Sequence, residues 1–201
     1  MSTSDDLAFI RQLMESSRRV TVLGGHYFVV WGLLVAIAQV AIWILIERDL
    51  INRLNSTLVW LLVVVIGCAY TFWASARDRR VEGAESRDGY LIGRVWIAFG
   101  VCGITIALAG LALGALPGRS LAGVYATLSG MAFFLHGTLA GIGWLRNVGV
   151  LWWLASIPLF LMTGPIIMLA YAVLILLLQV VPGILLTFER RRLLASEIQS
   201  T

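Results

Sequence analysis

Two histidines and two cysteines are the residues of this sequence best suited to bind a metal, and all four lie in long uncharged segments. His26 belongs to "GGHYF" and His136 to "MAFFLHGTLAG", while Cys68 and Cys102 lie in two further apolar runs. His26 and His136 could ligate a haem axially, with neighbouring glycines leaving room for the flat macrocycle. Alternatively, the two cysteines and the two histidines could together hold a tetrahedral metal ion.

A structural interpretation of the same four residues requires no ligand. His26 would donate a hydrogen bond at a membrane interface, and His136 would be hydrogen-bonded inside a helical bundle. Each cysteine would be a small buried apolar group. We adopt this interpretation, which predicts no cofactor, and keep haem as the alternative.

The composition predicts an all-α membrane protein that positions these residues on transmembrane helices. Of the 201 residues, 60% are hydrophobic and only 13% are charged, whereas a soluble domain has about a quarter of its residues charged. A bilayer core needs about 20 apolar residues per helix. Uncharged runs of that length or longer are Val20–Ile46, Leu54–Ala76, Val95–Gly118, Ser120–Leu145 and Asn147–Phe188.

The last of these runs has 42 residues, which is enough for two helices, and Thr163–Pro165 is expected to divide it because proline interrupts a helix. The sequence therefore predicts six spans arranged as three hairpins, 20–76, 95–145 and 147–188. Together they form a transmembrane domain over residues 20–188. Residues 1–19 are predicted to form a short amphipathic helix on the cytoplasmic side, and residues 189–201 a basic cytoplasmic tail.

The arginines predict that both termini are cytoplasmic. All 15 basic residues are arginine. With the N-terminus inside, twelve of them lie on the cytoplasmic side, and only Arg48, Arg53 and Arg119 lie outside, as the positive-inside rule requires. Since these arginines cluster at span ends, nucleic acid is not an expected partner. The absence of lysine suggests a bacterial source, and hence an inner membrane.

This topology places the four candidate ligands at one depth. His26, His136, Cys68 and Cys102 each lie seven to ten residues from a predicted cytoplasmic arginine, or roughly 10–15 Å along a helix. They share the inner leaflet but occupy four different helices. The pattern does not reveal which way any of their side chains faces.

Small and polar residues within the spans predict how the helices pack. Glycines at four-residue spacing let helix backbones approach closely in a membrane. We expect such contacts between the third and fourth spans, through Gly110, Gly114, Gly130, Gly137 and Gly141. Gln39 and Gln179 are expected to form hydrogen bonds between helices.

The charges also exclude several classes of protein. No predicted span contains Asp, Glu, Lys or Arg, whereas ion-coupled transporters, proton pumps and intramembrane aspartyl proteases depend on such groups. The sequence therefore favours a non-catalytic accessory or regulatory membrane protein that acts through helix packing and its cytoplasmic ends. Its expected partners are the bilayer and a second copy or another membrane protein. The alternatives are a small oligomeric channel for an uncharged or lipid-like solute, and a haem or metal redox protein.

Overall fold

The computed structural model describes residues 24–82 and 87–198, and the regular elements in these ranges are all helices. The helices are α1 Gly25–Glu47, α2 Arg53–Glu82, α3 Arg87–Ala107, α4 Gly118–Leu139, α5 Gly143–Leu161, α6 Ile166–Ile175 and α7 Val181–Ile198. Two short π-helical segments, Leu108–Ala112 and Leu176–Val180, extend α3 and join α6 to α7. Because α6, its π-helical segment and α7 follow one another without a break, they form a single span.

The prediction of an all-α membrane protein is confirmed. Five helical segments in the described part of the chain are long and apolar enough to cross a membrane. The remaining predicted span, the fourth in the chain, is α4, which has 22 residues but includes several Gly, Ser and Thr residues that lower its hydropathy. Nine of its residues are buried. The composition of α4 therefore reflects its packing against other helices instead of lipid.

The breaks between the later spans agree with the sequence in one place and differ in another. As predicted, Thr163–Pro165 separates two helices, and Gly164 there adopts a left-handed φ of +78°. The turn between α4 and α5 comes earlier than the predicted boundary near Arg146, because Gly141 (φ +66°) ends the preceding helix. Arg146 consequently lies in the first turn of α5.

The helices pack as one bundle and not as three equal hairpins. The closest pair is α4 with α5, and α1 packs along α6 and α7, which are distant in sequence. The main neighbours of α2 and α3 are α1 and α4 respectively. Only 17% and 11% of the apolar windows of these two helices are buried within the chain. They are therefore peripheral to a core made by α1, α4, α5, α6 and α7.

Both ends of the bundle are recognisable from their charges. We call the end at which α1 begins and α2 and α7 end the basic end, because it carries Arg77, Arg79 and Arg80 on α2 and Arg190–Arg192 on α7. Here α2 continues to Glu82, and α7 continues to Ile198 through the predicted tail. The predicted N-terminal helix, residues 1–19, lies outside the described residues.

Candidate functional site

His136 lies in a box of aromatic side chains where three helices meet. Its side chain is 2% exposed. The ring of Phe28 from α1 is centred 5.3 Å from the imidazole, and the ring of Trp96 from α3 is 6.2 Å away. Phe133, one turn earlier on α4, is 5.0 Å from Phe28 and 5.4 Å from Trp96. This aromatic box joins α1, α3 and α4 in the half of the bundle near the basic end.

A hydrogen bond fixes the protonation state of this histidine. The indole Nε1 of Trp96 donates to Nδ1 of His136 over 3.1 Å. Since Nδ1 accepts, the imidazole is neutral and its proton is on Nε2. That buried Nε2 has no hydrogen-bond partner among the described residues. His136 is thus a hydrogen-bond acceptor inside the bundle and retains one unpaired donor.

His26 belongs to a different group of side chains, which joins α1 to α2. Its Nε2 lies 3.5 Å from Oδ2 of Asp78, and the hydroxyl of Tyr27 donates to the same oxygen over 3.0 Å. The ring of Tyr70 stands edge-on to the imidazole at 6.0 Å. One and a half turns further along α1, Trp31 Nε1 donates to Thr71 Oγ1 over 3.0 Å. Polar contacts therefore attach the otherwise peripheral α2 to the core near the basic end.

The structure does not bring the four predicted ligands together. The imidazole of His26 contacts α2, whereas the imidazole of His136 is enclosed by Phe28 and Trp96. Cys68 is partly buried on α2 and Cys102 is exposed on α3. No three His, Cys, Asp or Glu side chains in residues 24–82 and 87–198 are arranged to hold a metal ion. The aromatic rings around His136 also leave no face open to a macrocycle, so these residues do not fit a haem.

The predicted glycines of α4 contact α5, not α3. A Cβ on Gly137 would overlap the backbone nitrogen of Arg146, and one on Gly130 would overlap the indole of Trp153. From the other side, a Cβ on Gly149 would lie 2.6 Å from the backbone nitrogen of Phe134. Glycine is required at Gly137 and Gly149 because the two backbones touch there, and at Gly130 because the indole of Trp153 fills the space.

The remaining predicted glycines have other roles. Gly110, in the π-helical segment after α3, faces Leu121 of α4, where a Cβ would be 3.0 Å from Cδ2. Gly114 and Gly141 have positive φ angles of 65° and 66° and nothing within 4 Å of an added Cβ. They allow the chain to turn and do not lie between helices, which corrects the prediction for these two positions.

The structure contains a close crossing of α1 and α7 that the sequence did not predict. A Cβ on Gly25 would lie 2.5 Å from the carbonyl oxygen of Gly183, and one on Gly183 would lie 2.7 Å from the carbonyl oxygen of Gly25. Gln179, in the π-helical segment, donates from Nε2 to the carbonyl oxygen of Phe28 over 3.4 Å. Gln39 is 6% exposed on α1, and its Oε1 has no partner among the described residues.

Beside this crossing, α1 and α7 line an open cavity of about 250 Å³ near the basic end, at which Ile184 and Phe188 are exposed. It is lined by His26, Val29 and Val30 from α1 and by Ile184, Thr187 and Phe188 from α7. The Thr187 hydroxyl donates to the carbonyl oxygen of Gly183 in its own helix over 2.8 Å. The lining is therefore mostly apolar, with two polar side chains on opposite walls.

Sequence reasoning missed Asp78 and Trp96, the two residues that give the histidines their partners. The mixed charges around Asp78 are typical of a solvated loop, but α2 continues past it as a helix. Trp96 lies near the end of a predicted span, where tryptophan is common at membrane interfaces. Trp96 follows Arg94 by two residues, whereas His136 precedes Arg146 by ten, so predicted depth gave no signal that could have paired them.

Asp78→Ala is expected to loosen the attachment of α2 at the basic end, because the hydroxyl of Tyr27 would lose its acceptor. Hydrogen bonds to charged groups are strong, but Asp78 is partly exposed, so we expect a loss of about 1 kcal/mol. Spin labels at Arg77→Cys and Arg192→Cys, with Cys68 and Cys102 replaced by serine, should then show a broader distance distribution. Glu47→Ala, at the opposite end, is the control. Equal distributions for Asp78→Ala and the parent protein would contradict this role.

No protein-family model, curated protein or solved structure matches this chain, so a function for it has to be inferred from the geometry of its own residues.

Proposed function

We propose that this protein is a non-catalytic accessory or regulatory protein of a bacterial inner membrane, which acts on a partner protein through the cytoplasmic ends of α2 and α7. The main support for the proposal is the position of the polar contacts between helices. The contacts of His26 and Tyr27 with Asp78 lie at the basic end, where α2 and α7 extend beyond their apolar segments. The positive-inside rule assigns this end to the cytoplasm.

The filled interior of the described bundle supports a role without transport or catalysis. Trp152, Phe133, Leu145 and Leu159 are at most 1% exposed and occupy the space between the helices. The buried hydroxyl of Ser156 donates to a carbonyl oxygen of its own helix over 2.7 Å. Such local bonding is typical of structural hydroxyls. A solute path within one copy would instead require polar groups that face a common passage.

The ends of α2 and α7, where Arg77 and Arg192 are exposed, supply a surface through which a partner could be recognised. From Asp78 to Glu82, α2 extends by about 6 Å, and from Glu189 to Ile198, α7 extends by about 14 Å, at 1.5 Å per residue. Arginines are concentrated on both extensions. Because α2 is attached to the core mainly through α1, a partner that moves its end would not have to disturb the α4–α5 pair. The end of α2 is therefore the part of this surface that a partner can move, while α7 belongs to the core.

Site-specific photo-crosslinking in cells tests this proposal. A photoreactive amino acid in place of Arg77 or Arg192, both exposed, should form the same discrete adduct with one other protein. The adduct formed from position 77 should disappear when Arg190, Arg191 and Arg192 are all changed to glutamate, because charge reversal repels an acidic partner surface. The same photoreactive residue at Leu50, exposed at the opposite end, is the matched control.

Two further measurements on the full-length protein separate the alternatives. Proteoliposomes should show no faster flux of glycerol or urea than empty liposomes. Protein purified from cells supplied with iron and haem precursors should lack a Soret band. Rapid solute flux without any adduct would overturn the proposal in favour of a channel, and a Soret band lost in His136→Ala would do so in favour of a haem protein.

A further inference from the structure

The cavity between α1 and α7 lies where the sixth span leaves its apolar segment. Its deeper wall is formed by Val30 and Ile184, and its outer wall by His26, Thr187 and Phe188. From Ile184 to Phe188, the chain of α7 runs towards the basic end. Apolar side chains therefore lie on the membrane side of the cavity, and the polar atoms of His26 and Thr187 lie nearer the aqueous surface.

Positive charge lies directly beyond this opening. Arg192 is exposed and follows Phe188 by four residues on α7, which places both on one face of the helix. Six arginines, at positions 77, 79, 80 and 190–192, accompany four acidic residues, Asp78, Glu82, Glu189 and Glu197, at this end of α2 and α7. Asp78 accepts a hydrogen bond from Tyr27 and lies beside His26. The net charge of these two helix ends is thus positive.

Apolar side chains on the membrane side of the cavity thus give way to positive charge beyond its opening. From this arrangement we infer that the cavity is a binding site for one anionic phospholipid of the leaflet at the basic end. An acyl chain would lie against Val30 and Ile184, the ester groups would meet His26 and Thr187, and the phosphate would lie near Arg192. Basic clusters next to transmembrane helices attract anionic lipid headgroups in this way. This inference does not depend on the proposed function, because a lipid site can serve any membrane protein.

The size of the cavity fits part of a lipid. At about 250 Å³, it is smaller than the 300–1,000 Å³ typical of pockets that enclose a drug-sized molecule. A phospholipid would place its ester region and upper acyl chain there and leave the rest in the bilayer. Gly25 and Gly183, next in sequence to the lining residues His26 and Ile184, keep α1 and α7 close together beside the cavity, because larger side chains would separate the two helices.

Lipid retention by the full-length protein tests the inference. The protein is purified from mixed vesicles of phosphatidylglycerol and phosphatidylcholine, and its bound lipids are counted by native mass spectrometry. We expect one retained phosphatidylglycerol, preferred about tenfold over phosphatidylcholine. Arg192→Gln should reduce this preference about fivefold, as expected for one basic residue near an anionic surface. Arg119→Gln, an equally exposed change at the opposite end, should not alter it.

A second measurement requires no variant. Phosphatidylglycerol with a photoreactive group in its upper acyl chain should label peptides that contain Val29–Val30 or Ile184–Phe188 in the unmodified protein. Equal retention of the two lipids, equal effects of Arg192→Gln and Arg119→Gln, or labelling confined to other helices would each overturn the site. A preference for phosphatidylglycerol, lost selectively in Arg192→Gln and labelled at these peptides, would establish it.

Discussion

Gly137→Ala is expected to lower the thermal unfolding midpoint in detergent by roughly 5–10 °C. The added methyl group would overlap the backbone nitrogen and Cα of Arg146, and neither atom can move without shifting the start of α5. Overpacking of a tight interior costs about 1–3 kcal/mol, and each kcal/mol corresponds to about 2–4 °C for a chain of this size. Because α4 and α5 are the closest pair in the bundle, the strain would act on its centre.

Gly100→Ala is the matched control, since it introduces the same methyl group in the middle of α3 where nothing lies within 4 Å. Alanine is favoured over glycine inside a helix by about 0.5–1 kcal/mol, so this change should leave the midpoint unchanged or raise it slightly. If Gly137→Ala and Gly100→Ala had equal midpoints, α4 and α5 would not be in backbone contact at Gly137.

The glycines show what a sequence pattern can predict about membrane helices. Gly130 and Gly137 follow the four-residue spacing of small residues and lie where α4 approaches α5 closely, because only the absence of a side chain permits such contact. The spacing did not identify α5 as the partner helix, since α3 and α5 both adjoin α4 in sequence. Nor did it distinguish Gly114, which lies in a turn with a positive φ, from a glycine inside a helix.

Topology was predictable for a different reason. Each span must satisfy its own backbone hydrogen bonds in lipid, so apolar length and proline positions determine where helices begin and end. The distance of each residue from the nearest predicted cytoplasmic arginine gave its depth in the membrane. This depth correctly placed His26 and His136 towards the same end of the bundle. The direction of each side chain depends on the rotation of its helix, which is determined by contacts such as Gly25 with Gly183 between distant parts of the chain.

Asp78 illustrates the same limit at the edge of the membrane. Its sequence neighbours, Arg77 and Arg79, are typical of a solvated segment. In the structure the helical turn directs Asp78 towards α1, while Arg77 lies over the ring of Trp73 at 5.7 Å. Consecutive residues of a helix point about 100° apart, so one can join two helices while the next remains exposed. The local amino-acid composition does not distinguish these two directions.

The last prediction concerns the hydrogen bond between Trp96 and His136, which should appear as a coupling between two substitutions. Trp96→Phe keeps an aromatic ring in the box but removes the donor to Nδ1, so both nitrogens of the buried imidazole would lack a described partner. An unsatisfied buried polar group costs about 1–3 kcal/mol. His136→Phe removes both nitrogens at once, and its effect should be smaller because Trp96 is only partly buried.

The double variant, Trp96→Phe with His136→Phe, contains neither the donor nor the acceptor. It should be more stable than Trp96→Phe alone, even though it carries one more substitution, because no buried nitrogen remains unpaired. Hydrogen bonds between membrane helices contribute about 0.6 kcal/mol on average and up to about 1.7 kcal/mol, and we expect a coupling free energy near the upper value. Unfolding free energies of the four proteins in one detergent measure it. Strict additivity would mean that the two rings are in contact without a hydrogen bond, and His136 would then need a different partner to account for its burial among aromatic side chains.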